Sequence, residues 1–261
     1  MKNLLVGMAV VASVMAAGAA GADTINPYNT RPVDVGTSQD QAAPCWNSAA
    51  ANCELQTLVN FVNPGAGIDV NTDQQSAGMW SLGGMFAANV VMDFKVAGDK
   101  PDTSIGLWSA AGGDPSKITL VELFTNDSGG LEYQAVTPAR LDFDPNTGKL
   151  TITGGWGVNA GTFSGIDPNA FGFYIDDSRN GNLFYSVDWL NPNQTAQVLA
   201  FQNPDNAWWT LGFEDSVYGT GDHDFQDAMI QFTPVPEPGS MLLLGTGLAG
   251  LAGALRRRMR A

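Results

Sequence analysis

The stretch WWTLGFEDSVYGTGDHDFQDAMIQF, Trp208 to Phe232, concentrates the chemistry this chain offers. An apolar strand runs into Glu214 and Asp215, a glycine-bearing loop follows, and Asp222, Asp224 and Asp227 precede a second strand. Five carboxylates within fourteen residues repel one another strongly at close range unless water or a cation stands between them. Carboxylate oxygens suit hard cations, and Asp222 and Asp224, two apart around His223, have the spacing with which a calcium loop opens. An EF-hand is excluded, because Asp227 stands where its glycine must be and no Glu occupies its twelfth position. The expectation is a calcium site joining two strands through Glu214, Asp215, Asp222, Asp224 and Asp227. The alternative is a solvated acidic hairpin without an ion.

Catalytic chemistry finds less support. His223 is the one histidine, which excludes multi-histidine zinc centres and leaves little room for a Ser-His-Asp arrangement. Neither a Walker-type loop nor a dinucleotide fingerprint is present. Asp176-Asp177 reads as an ordinary turn pair. A carboxylate pair of glycosidase type stays open in a chain so rich in acids. The chain is therefore expected to be non-enzymatic, with a structural or adhesive role. The alternative is a carbohydrate-binding module or glycoside hydrolase that presents Trp208 or Trp209 to extracellular polysaccharide. Ice binding needs a flat, repeated Thr-rich face, and Thr151-Ile152-Thr153 is the sole Thr-x-Thr.

Charge narrows the partners. Between Asp23 and Val235 stand twenty-five acids and seven bases, a formal charge near −18, so a nucleic-acid partner is disfavoured. Twenty-one of the acids in the whole chain are Asp and five are Glu, a bias toward turns and loops, where the short Asp side chain bonds to local backbone. Cys45 and Cys53, in PCWNSAAANC, are expected to close a local disulfide in an oxidising compartment, contributing on the order of 2 to 3 kcal/mol. No His or third Cys lies nearby to complete a metal site, and the spacing is not that of a Cys-x-x-Cys redox pair.

The elements that must position the acids read as strands. Runs rich in β-branched and aromatic residues recur at 90–96, 104–108, 117–124, 131–136, 149–154, 171–175, 183–189, 196–201, 208–213 and 227–232. Asx, Pro and Gly clusters separate them, among them DPNTG, NPNQ and NPDN. The fold class is all-β, an antiparallel sandwich of jelly-roll type. Trp156, Phe173, Tyr185, Trp189, Trp208 and Phe213 are expected in its core. ELQTLVNFV, Glu54 to Val62, is the best helical candidate, with Leu55, Leu58, Val59 and Val62 on one face. It follows the cysteine loop, giving a small disulfide-stapled cap over an irregular region 23–88, with the sandwich at 89–233.

Both ends read as addresses. Residues 1–22 combine Lys2, an apolar stretch from Leu4 to Ala17 and Ala20-Gly21-Ala22, a signal peptide with cleavage expected after Ala22. The chain closes with Pro236-Glu237-Pro238, an uncharged run of fifteen residues from Met241 to Leu255, and Arg256, Arg257, Arg258 and Arg260. As a helix that run spans about 22 Å, a short transmembrane segment with its arginines held on the cytoplasmic side. Together these features resemble the PEP-CTERM sorting signal, at 234–261. The resemblance implies export in a Gram-negative bacterium, a transient inner-membrane anchor, processing by an exosortase, and a final place on the cell surface or in the extracellular matrix. Gly212-Phe213-Glu214-Asp215 followed by Asp222, Asp224, Phe225 and Asp227 also resembles a signature of an uncharacterised bacterial surface-domain family. That likeness implies a β-sandwich stabilised by calcium.

Overall fold

The computed structural model describes residues 54–75, 77–82, 86–95, 103–110, 114–125, 138–155, 157–204, 208–217 and 223–235, with 22–23, 32–33 and 35. Cys45, Cys53, Ala20, Trp156, Asp222, the run 131–136, the 241–255 segment, Pro236, Glu237, Pro238 and the four terminal arginines lie outside them. Among the described residues no helix is long and apolar enough to cross a membrane.

Period-two alternation builds the strands. They are β1 (Ala22–Asp23), β2 (Met79–Trp80), β3 (Ala87–Lys95), β4 (Thr103–Ala110), β5 (Ile118–Phe124), β6 (Ala139–Asp144) and β7 (Lys149–Thr153). They continue as β8 (Gly161–Ser164), β9 (Phe171–Asp177), β10 (Asn182–Tyr185), β11 (Val198–Gln202), β12 (Trp209–Phe213) and β13 (Ala228–Pro234). One antiparallel sheet runs β1-β2-β9-β4-β5 with β10 beside β9, and the other runs β11-β12-β13-β3-β6-β7-β8. Phe171, Phe173 and Ile175 of β9 alternate inward to meet Trp209, Leu211 and Phe213 of β12 and Ala228, Ile230 and Phe232 of β13. The two sheets thus share one core, as the layers of a sandwich do. Trp80 sits at its centre, edge to face with Trp209 at 4.8 Å, Phe232 at 5.2 Å and Phe173 at 6.4 Å. Its buried indole nitrogen has no hydrogen-bond partner among the described residues.

Each outer face is covered in part. Helix α1 (Leu55–Val62) buries Leu55, Leu58 and Val59 against Leu199 and Phe201 of β11, Met229 of β13 and Phe225. On the opposite face Trp108 and Tyr174 lie under Val187, Trp189 and Leu190. Here the register pairs Gly106 with Tyr174 and Trp108 with Gly172. A Cβ on Gly106 would fall within the Tyr174 ring and one on Gly172 against the Trp108 indole. Each glycine therefore makes room for the ring across the strand.

Besides the two-residue β1 and β2, the strands β6 and β8 form outside the runs singled out by composition. In β6, Ala139, Leu141 and Phe143 are buried while Arg140 and Asp142 point outward and pair at 2.8 Å. The run 183–189 stays extended only to Tyr185 and then enters a 3₁₀ turn at Asp188–Leu190. Asn191 causes the break, because its side chain accepts from Tyr185 N (2.7 Å) and donates to Tyr185 O (2.8 Å), taking the place of a neighbouring strand. The aspartate bias has its expected outlet: Asp69, Asp114, Asp144, Asp167 and Asp177 each accept a backbone N–H two residues on. At Asp144 the Thr147 hydroxyl and the Asn146 N–H hold the carboxyl below its usual range.

Asp93 is the exception to this pattern. The β3–β13 register shifts between Met229 and Ile230, which pair with Phe94 and Met92, so Asp93 is the extra residue of a bulge. It is buried, its Oδ2 has no hydrogen-bond partner among the described residues, and burial pushes its pKa up to about 7. A folded pKa above the unfolded one makes the protonated form the stable partner, so stability is full at low pH and falls as pH rises from about 4 to about 7. At about 1.4 kcal/mol per pH unit the loss approaches about 4 kcal/mol. Asp93→Asn should therefore raise the melting midpoint at about pH 8 and leave it unchanged near pH 4. An equal gain at both pH values would show that this carboxyl bears no such cost.

Candidate metal centre

The acids collect where β12 ends and β13 begins. Phe213 pairs with Ala228, which sets Glu214 and Asp227 side by side just beyond the last rung of the ladder. Asp227 N donates to Phe213 O (3.1 Å), and Asp215 N donates to Asp227 Oδ2 (2.7 Å). Ser216 N donates to Glu214 Oε1 (3.2 Å), and its hydroxyl lies 3.2 Å from Asp215 Oδ1. One carboxylate oxygen from each of Glu214, Asp215 and Asp227 falls within 4.8 Å of the others. The three residues are only 1%, 9% and 8% exposed.

Side chains remote in sequence hold this arrangement. Gln197, itself buried, accepts Glu214 N at its backbone carbonyl (3.0 Å) and donates its amide to Ser216 O (2.7 Å) and Glu214 O (3.4 Å). Asn182, from β10 in the other sheet, donates to Asp215 O (3.2 Å). With these carbonyls occupied, the acids offer carboxylates to the centre. No local pattern around Glu214 announces Gln197 or Asn182, because they arrive from the start of β11 and from the β9–β10 hairpin.

Of the five acids expected at the site, Glu214, Asp215 and Asp227 converge, Asp224 stands beside them, and Asp222 is outside the described residues. The Asp224 carboxylate is buried and accepts from Gln226 N (3.2 Å) and Gln226 Nε2 (2.9 Å). Burial first, and then the charges of Asp215, Glu214 and Asp224, raise the Asp227 pKa well above the carboxylate range, against a smaller opposing pull from the Asp215 N–H. A divalent cation among these oxygens would offset that repulsion.

The loop leading into β13 is strained and anchored. His223 and Phe225 both take left-handed backbone angles, φ 57° and 55°, which are costly for residues with a Cβ. Phe225 recovers the cost by burying its ring beneath α1. Gly212 makes the approach possible, since a Cβ there would lie 2.6 Å from Phe225 O and 3.0 Å from Leu55 Cδ1.

The other candidates are placed elsewhere. Asp177 accepts from Arg179 N, Asn180 N and Asn180 Nδ2, closing the β9–β10 turn as an ordinary turn residue. Burial, then Asp177, raises the Asp176 pKa. Trp209 is a core residue, 3% exposed, and Trp208 is half-buried with its indole N–H donated to Asn63 Oδ1 (3.2 Å). The expectation that Trp209 presents its ring to a glycan is corrected, because strand alternation turns it inward, and Asn63 ties the half-buried Trp208 to the end of α1.

Residues 159–234 match a domain of unknown function (DUF4114), and residues 234–258 match the PEP-CTERM protein-sorting motif. No curated protein and no solved structure matches the chain. The first match spans β8 to β13 and so takes in the whole acidic end. The second makes the tail a sorting signal, and the protein an exported one that is anchored transiently in a membrane and processed by an exosortase.

Gly212→Ala is expected to destabilise the protein by about 1 to 3 kcal/mol, because the new methyl must displace the Phe225 carbonyl or the Leu55 side chain. Urea unfolding measures this, and an unchanged midpoint would mean that the Phe225 loop moves aside without cost.

Proposed function

We propose that this exported protein is a non-enzymatic component of the cell surface or extracellular matrix, with a structural or adhesive role, and that its acidic end takes a calcium ion. The observation that carries the reading is the convergence of three buried carboxylates, Glu214, Asp215 and Asp227, within 4.8 Å. Oxygen-only donors of this kind are what calcium takes. Their burial also argues against a glycosidase pair, since a sugar ring must reach both carboxyls. The site joins β12 to β13 and, through Asn182, touches the other sheet, so a bound ion would tie the two layers together at one end. The sorting motif and the acidic composition support an extracellular setting, where calcium is abundant and a weak site fills.

Calcium at a hundred times its dissociation constant should stabilise the protein by about 2.7 kcal/mol, which moves the melting midpoint of a domain this size by several degrees. The rise should vanish in chelator and in the Asp227→Asn, Glu214→Gln double variant, while Asp176→Asn keeps it. Equal midpoints with calcium and with chelator in the parent protein would overturn the calcium reading.

A further inference from the structure

β13 is hydrogen-bonded on both sides, to β12 from Ala228 to Phe232 and to β3 from Ala228 to Pro234. The pairing continues to the end of the strand: Pro234 is buried opposite Ala88, and Val235 N donates to Ala87 O (2.9 Å). Two residues before Pro234, Phe232 is fully buried against Trp80, Phe171 and Phe173. Pro236, the first residue of Pro236-Glu237-Pro238, comes immediately after Val235, and the sorting-motif match itself begins at 234. The motif therefore has no linker between it and a central strand of the folded protein.

Enzymes that cut polypeptides hold them extended, as strands or strand-like segments, with residues on both sides of the bond in the cleft. A folded protein offers such a segment only where it opens locally. Here the residues on the N-terminal side of the motif are Phe232 to Val235. Drawing them into another cleft means breaking their pairing with Ala87 to Val90 and taking Phe232 from the ring cluster.

We infer that docking of the end of β13 onto β3 and processing of the tail exclude one another: the exosortase acts on a chain whose last strand residues are unpaired, and it cuts on the C-terminal side of Val235. In that step a peptide C–N bond breaks, water or an acceptor amine takes the acyl carbon, and the nitrogen of the departing tail takes a proton. Cutting beyond Val235 leaves β13 whole, so the strand docks once the enzyme lets go. The finished fold is then a poor substrate for the enzyme that processes its precursor. This inference rests on the sorting motif and is independent of calcium at the other end of the strand.

The test is a pulse-chase of the full-length chain in a bacterium that carries an exosortase, with the mature C-terminus read by mass spectrometry. A six-residue Gly-Ser spacer between Val235 and Pro236 gives the motif a free lead-in and leaves every strand intact. The spaced chain should lose its tail several-fold faster than the parent, and the parent's mature terminus should lie at Val235 or beyond. Equal or slower processing of the spaced chain would overturn the inference, as would a mature terminus before Val235.

Discussion

β13 receives hydrogen bonds from both sides, with β12 on one edge and β3 on the other, and everything distinctive about this molecule is tied to that one strand. Its inward residues, Ala228, Ile230 and Phe232, fill the core between the sheets, while Met229 faces α1 on the outside. Asp227 precedes it directly, and the sorting motif follows it directly. A strand paired twice, with its inward face wholly buried, is among the last parts of a sheet to open. The acids at its start are thus fixed as firmly as the core itself.

That firmness has an electrostatic cost. Exposed carboxylates in a segment of charge near −18, Asp23 to Val235, would drift apart and let water screen them, but Glu214, Asp215 and Asp227 are kept close by the ladder, by Gln197 and by Asn182. Asp93 is a further buried acid, apart from that cluster, at the bulge of β3. The outward aspartates are different: Asp69, Asp144 and Asp167 spend their oxygens on turn N–H groups and stabilise the loops that connect the strands.

The parts of the fold set by local pattern were legible in the sequence. Leu55, Leu58 and Val59 fall on one helical face, and α1 buries them; Phe171, Phe173 and Ile175 alternate, and β9 turns all three inward. What depends on distant partners was not legible. Nothing around LFYSVDW shows that Asn191 will fold back on Tyr185, and no local signal pairs Gly106 with Tyr174 or sends Gln197 to the acids. Trp208 and Trp209 look alike in sequence, yet alternation puts one in the core and leaves the other at the margin. The acidic cluster was visible as composition, but which oxygens meet is decided by the β12–β13 register.

The exit of the tail from the end of β13 also determines how the protein would carry a load. If the C-terminal end is held while something pulls on the rest of the molecule, tension runs along the strand axis, perpendicular to its hydrogen bonds on both sides. The rungs to β12 and β3 then share the force in shear and resist together, whereas a terminal edge strand would peel away one bond at a time. Held by that end, this sandwich would be mechanically strong along the strand axis.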